Sequence, residues 1–562
     1  MTVAEVVLTV KQRLLPRRSD YYGLATSYRR DILAGITVGV VALPLALAFG
    51  VASGVGAAAG LVTAIVAGVV AALFGGSNFQ VSGPTGAMTV VLLPIVARFG
   101  AAVVVPVAIM AGVIVLGMGL FGLGRAVSYI PWPVVEGFTL GIAIIIFLQQ
   151  VPLAIDVPRP EGDNTAVVAW RALQEADWAA AVQPLVIVAI VAAVLVVMPR
   201  LNRAVPWSIL AIGIATVIVV LAGWHMSRIG PLPKGLPLPS IPVLDTATMG
   251  ALFSAALAVA ALAAIESLLS ARVADGMASS TKCDPDRELV GQGLANIASG
   301  AFGGMPATGA IARTAVNVRA GARTRVSAIV HSVVLLAVVL VGGRLVAVIP
   351  LAALAGVLMV TAVRMIDRRA ALSVLRSTRA DAVVMVTTAV ATVALDLMLA
   401  VEIGIAIAAV LALRALSRAS TLGREEVRDS SELDDLPVLL EHELLHEHIA
   451  VYRLDGALFF GASQRFLDEL VAVADVRVVV LRLGGIGMMD ASGAHALEEI
   501  IVDLQSRGIA VILQGIRTEH FPTLMAVGAF EALGTEHHCV ERMNEAVEHA
   551  RIHVRRALGA RE

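Results

Sequence analysis

The chain has 562 residues, 58% of them hydrophobic and 15% charged, a balance foreign to soluble domains and expected of a protein that crosses a membrane many times. Its net charge of −1 gives no bulk attraction for nucleic acid. Its two cysteines, Cys283 and Cys539, supply neither a disulfide framework nor a thiolate metal site. The sequence holds no glycine-rich phosphate loop, Ser-His-Asp arrangement or convincing metal cluster, so no enzyme, catalytic residue, cofactor or resident metal is expected.

Residues 1–31 are polar and basic, with Lys11, Arg13, Arg17, Arg18, Arg29 and Arg30, and this bias places them on the cytoplasmic side. Uncharged runs follow at 32–50, 51–76, 101–124, 137–155, 179–199, 204–223, 246–265, 326–343 and 345–363. Most approach the roughly 20 residues that span a bilayer. Two shorter segments, 83–97 and 307–318, and three weaker ones, 286–304, 382–395 and 403–413, bring the expected count to about fourteen. The 286–304 segment carries Arg287, Glu288, Gln292 and Asn296 and reads as an amphipathic scaffold or interface helix. The loop at 156–177 is acidic and belongs outside, whereas the loop at 364–379, with five arginines, belongs inside. Pro-rich 231–242 lies near the midpoint, so seven spans on either side would run in opposite orientation, the inverted-repeat plan of many secondary transporters.

The two short segments open alike. Pro84-Thr85-Gly86-Ala87 and Pro306-Ala307-Thr308-Gly309-Ala310 each place Thr-Gly-Ala just after a proline, which cannot continue a preceding helix. A helix that starts inside the membrane leaves its first N–H groups without intrahelical partners and carries roughly half a positive charge there. Two such starts aimed at one point form an anion site without any lysine. Glu266 interrupts an otherwise uncharged run, and an acid at a helix centre costs about 3 kcal/mol, which makes it a functional candidate. A group able to take up a proton or a cation there can couple anion movement to an ion gradient, and Ser267 and Ser270 offer oxygens nearby. Arg313 falls within the second short helix and can add a full positive charge to the site. Glu136 and Glu402 flank spans and mark boundaries, and Pro44 allows a kink in the first span.

From about residue 417 the character changes. An acidic linker occupies 417–447, and 448–556 reads as a soluble α/β domain, with strands at 477–483 and 508–513 and helices at 492–506 and 542–556. Ser492 is expected as the cap of the first helix, where a phosphoryl group would sit on a helix N-terminus. His442, His446 and His448 loosely resemble metal ligands, but in their acidic run they are read as linker.

Taken together, these residues resemble the SulP family of anion transporters. The resemblance rests on Asp31-Ile-Leu-Ala-Gly35, Ala42-Leu-Pro44 through Phe49-Gly50, Gly83-Pro-Thr-Gly86, Glu266-Ser267, Gly303-Gly-Met-Pro306 and Asp490-Ala-Ser-Gly493. It implies a polytopic α-helical membrane protein with fourteen spans in two inverted repeats, about 32–223 and 246–416, divided into core and gate. A cytoplasmic STAS domain follows, and the whole forms a homodimer in the plasma or inner membrane. The anion would lie between Thr85-Gly86-Ala87 and Thr308-Gly309-Ala310, with Arg313 as the family's arginine, Glu266 as the coupling carboxylate and Ser492 as a possible regulatory serine. Leu45 and Phe49 stand where sulfate members often have Gln and Tyr, which points to the sodium-dependent bicarbonate branch. Glu266 and Ile311 stand where that branch has Asp and a hydroxyl, which points away from sodium and toward a proton. The expectation is a secondary-active transporter of sulfate or bicarbonate, proton-coupled and elevator-like. A sodium-coupled bicarbonate symporter, a dicarboxylate transporter, a passive channel and a non-transporting scaffold whose STAS domain binds a protein partner are the alternatives.

Overall fold

The computed structural model of the chain describes residues 15–125, 131–162, 164–202, 205–233, 235–240, 246–278, 282–395, 397–419, 421–425, 448–459, 476–534 and 538–559. The chain divides into two compact units, Met1–Ala406 and Ile407–Glu562.

The first unit is helical. Its main helices are α1 (Leu24–Ala52), α2 (Ala57–Phe74), α3 (Gly86–Phe99), α4 (Val104–Leu120), α5 (Trp132–Gln149), α6 (Trp178–Val197), α7 (Trp207–Leu221), α8 (Thr246–Met277), α9 (Pro285–Ala301), α10 (Ile311–Arg319), α11 (Val326–Ala347), α12 (Leu351–Met365) and α13 (Arg379–Ala394); α14 (Leu397–Ala419) runs into the second unit. Each expected segment falls on one of these helices. Among the described residues, seven helices are long and apolar enough to cross a membrane, and Gly86–Phe99 and Trp207–Leu221 are shorter apolar helices. The first helix begins at Leu24, eight residues before the uncharged run. Asp31, fully buried, accepts bonds from the Ser27 hydroxyl and from the Arg323 and Thr324 amides, so polar residues continue the helix into the protein instead of ending it. The arginine-rich loop is in fact partly a helix, Arg368–Ser377, started by the Asp367 side chain bonded to the Arg369 and Ala370 amides; its arginines had obscured the spacing.

Helices α1, α2, α4, α8, α9, α10 and α11 pack mainly on one another, while α5, α6, α7, α12 and α13 form a second set. Small residues allow close approach within a set. A Cβ on Gly60 of α2 would lie 2.0 Å from the Ala46 carbonyl of α1, and one on Gly293 of α9 would lie 2.5 Å from the Leu116 amide of α4, so backbones rather than side chains meet there.

Of the two roles expected for helix α9, scaffold and interface, the packing fits the scaffold. Arg287, Glu288, Gln292, Asn296 and Ser299 are all buried. Their partners are broken stretches of neighbouring chain: Arg287 pairs with Asp20 at 2.5 Å, Glu288 accepts from the Gly76 and Ser77 amides, and Asn296 holds both the amide and the carbonyl of Ala307. Glu288 and Asn296 serve backbone groups that would otherwise be buried unpaired, while Arg287 is held in a buried ion pair.

The second unit contains a five-stranded sheet in the order β3 (Thr421–Glu425), β4 (Ile449–Leu458), β5 (Val478–Met489), β6 (Ala510–Gln514) and β7 (Cys539–Val540). The first pair is antiparallel and the rest are parallel. Alternate side chains of the buried strands serve opposite faces. Val479 and Leu481 pack with α15 (Ala491–Ser506) through Leu497 and Ile501, while Val478 and Val480 pack with α16 (Met543–Gly559) through Ala546 and Ala550. Ser492 is not the cap. The Asp490 carboxylate accepts from the Gly493 amide at 2.7 Å, and Ser492 is an exposed residue of the first turn, because the side chain three positions before the amide makes the capping bond. His448 immediately precedes β4, and His442 and His446 lie outside the described residues.

Candidate functional site

Two strands of two residues each form the centre of the first unit. β1 (Ser82–Gly83) and β2 (Thr308–Gly309) pair antiparallel, Ser82 with Gly309 and Gly83 with Thr308. Each leads within three residues into a helix, β1 into α3 and β2 into α10. The antiparallel pairing therefore brings the N-terminal ends of the two helices together while their bodies diverge. Sequence alone suggested the two helix starts but not the strands, since two residues leave no periodicity to read and the paired residues lie more than 200 positions apart.

The junction is held by polar groups from α2, α8 and α9. Thr85 caps α3, its hydroxyl accepting from the Met88 amide. Thr85 and Thr308 both donate to the same oxygen of Glu266, Oε2, at 2.8 and 2.7 Å, and the two hydroxyls lie 3.2 Å apart. Ser267 accepts from the Gly309 amide at 3.0 Å, and the Ala310 amide bonds the Val81 carbonyl. Ser270, one turn on, bonds Thr314 on the flank of α10 at 3.1 Å. Gln292 reaches the Ser82 hydroxyl, and Thr63 and Ser299 hold the backbone of Met305.

Arg313 is the third residue of α10, in its first turn, and is 1% exposed. Its guanidinium donates to the Pro84 carbonyl, and Nη1 makes no hydrogen bond and lies where a side chain on Gly83 would stand, 2.7 Å from an added Cβ. Arg313 and Glu266 act on one another electrostatically across the junction. At the start of α3, Ile146 and Phe49 close the wall over Gly86, 2.2 and 3.3 Å from an added Cβ. Ile311 at the start of α10 is 38% exposed. Glu136 bonds Trp132 at the start of α5, and Glu402 is exposed on α14; neither reaches the junction.

The supporting residues that sequence reasoning missed are Gln80, buried against Gly309, with Thr63 and Ser299, while Gln292 and Asn296 were noted only as polar positions of a scaffold or interface helix. Their one signal was polarity, which looks the same whether the partner is water or buried backbone. Chemically, the junction offers a guanidinium, the first-turn amides of two helices and one carboxylate. The donors suit a small oxyanion, and the carboxylate opposes it unless protonated.

Comparison with known proteins agrees with this geometry. The profile of the sulfate permease family matches residues 28–388, and that of the STAS domain matches residues 444–546. YvdB of Bacillus subtilis strain 168, provisionally named a sulfate transporter, is 36% identical over 91% of this chain and 96% of its own length. The bicarbonate transporter BicA of Synechocystis is 32% identical over 95% of both chains. The solved transmembrane domain of a cyanobacterial BicA matches with a TM-score of 0.60 at 32% identity, over 68% of this chain and 97% of that one. The structure of SLC26A9 shares the fold, with a TM-score of 0.83 at 18% identity over 98% and 95% of the two chains. Two broken helices crossing at their starts, joined in sequence to a C-terminal STAS domain, make this chain a multi-pass membrane protein that belongs to the sulfate permease family.

Proposed function

We propose that this protein is a secondary-active transporter of a small inorganic oxyanion, sulfate or bicarbonate, in which a proton taken up by Glu266 accompanies the anion. The observation that carries this reading is the single Glu266 oxygen that holds both helix starts through Thr85 and Thr308, beside the buried Arg313. With Glu266 ionised, its charge offsets that of Arg313 and repels an arriving anion. With Glu266 protonated, the guanidinium and the helix ends act unopposed. Proton and anion therefore favour each other's binding, and the coupling is reciprocal.

A sodium ion would need oxygen ligands. Ile311 supplies none where α10 begins, which supports the proton over sodium. The two substrates draw on different relatives: YvdB is provisionally named for sulfate and BicA for bicarbonate. Proton coupling favours sulfate, since bicarbonate and a proton together yield carbon dioxide. The proposed movement is elevator-like, with the helix set that carries the crossing sliding against the other. The protein acts as a homodimer in the plasma or inner membrane, with residues 1–31 and the STAS domain in the cytoplasm. It requires no cofactor and catalyses no covalent step.

The test is uptake of labelled sulfate and bicarbonate into proteoliposomes under imposed proton or sodium gradients. Accumulation is expected to follow the proton gradient and to rise as the outside pH falls. Glu266→Gln, which cannot ionise, should lose gradient-driven accumulation and its pH dependence while still inserting normally. Accumulation driven by sodium alone, or an unchanged pH profile in Glu266→Gln, would overturn the coupling assignment.

A further inference from the structure

Three histidines in the STAS domain stand apart from everything used above. His549 and His553 lie one turn apart on α16, so their side chains share a face, and His538 immediately precedes the edge strand β7. The Nε2 atoms of His538 and His553 are 3.2 Å apart, and one ring nitrogen from each of the three lies within 4.8 Å of the others. The rings meet edge to face, with centroids 5.0 to 5.2 Å apart. All three are partly buried and within reach of solvent.

We propose that His538, His549 and His553 form a binding site for a divalent first-row transition metal, zinc foremost, that ties α16 to the edge of the sheet. Two ligands of one tetrahedral zinc stand about 3.3 Å apart when the Zn–N bonds are about 2.0–2.1 Å, close to the spacing already held by His538 and His553. Three imidazoles suit zinc, copper, nickel or cobalt and exclude calcium and magnesium, which take oxygen ligands. Three protein nitrogens leave a four-coordinate ion one further position for water or a partner's side chain. No motif announces the site, because the spacing of His538 from the helical pair follows no familiar pattern and only the fold closes it.

The test uses the full chain, purified without a polyhistidine tag and stripped with a chelator. On titration with zinc alone, one equivalent should bind. His553→Gln and His538→Gln should each weaken the affinity by more than the roughly 10–100-fold that loss of an outer-shell contact costs. Cobalt added to the unmutated chain reports the ligands whether or not a variant folds. The expected spectrum has the intense visible bands of a tetrahedral ion and no thiolate charge-transfer band. No stoichiometric zinc, the weak spectrum of octahedral cobalt, a thiolate band from Cys539, or full binding after all three histidines are replaced by glutamine would each overturn the proposal.

Discussion

Arg313 combines three properties rarely found together: a full charge, 1% exposure and a guanidinium nitrogen without a hydrogen bond. Its bond to the Pro84 carbonyl aims the fork at the start of α3, where an oxyanion would meet the first amides. Removing the charge should therefore act on the anion more than on the fold. Loss of one charged hydrogen bond costs about 1.5–3 kcal/mol, so Arg313→Gln is expected to raise KM for the transported anion about 10- to 100-fold in proteoliposomes. Arg313→Lys keeps the charge without the planar fork and should fall between the two. An unaltered KM in Arg313→Gln would remove this residue from the site. Arg313 and Glu266 were legible in the sequence because a charge inside an apolar run is conspicuous. The placement of Thr85 and Thr308 was legible too, but not their use. Each hydroxyl is engaged by Glu266, which ties both helix starts to the carboxylate.

At the scale of elements, the two helix starts depend on a neighbouring helix for their placement. β2 is too short to hold itself in place, and Asn296 of α9 fixes the residue before it by pairing with both the amide and the carbonyl of Ala307, at 2.8 and 2.9 Å. Asn296→Leu fills a similar volume and leaves both backbone groups buried without partners. Each unsatisfied group costs about 1–3 kcal/mol, so the variant should melt well below the parent in a detergent thermal-shift assay and lose transport. Asn296→Asp retains an acceptor for the amide and should lose less. Equal melting temperatures for Asn296→Leu and the parent would show that β2 is held elsewhere. The long helices could be read from the sequence because twenty uncharged residues have few other uses. The crossing strands and the burial of α9 could not, since both depend on which distant backbone is left unpaired, and that is settled only by the assembled fold.

For the molecule as a whole, the proposed orientation can be tested on each unit separately. Arginines cluster in the first thirty residues and again around the Arg368–Ser377 helix, while the 156–177 stretch carries five acids and two arginines. Basic loops stay in the cytoplasm, and an even number of crossings returns the chain to the side from which it started. The STAS domain should then share the cytoplasm with residues 1–31. The chain has only two cysteines, Cys283 and Cys539, so changing both to serine gives a background in which single exposed cysteines report their side of the membrane. Glu161 and Ser492 are both exposed. Glu161→Cys should react with a membrane-impermeant maleimide on intact cells, and Ser492→Cys should react only once the membrane is opened. Labelling of Ser492→Cys on intact cells would mean an odd number of crossings, and with it the loss of the paired inverted repeats on which a mid-membrane crossing of two helix starts depends.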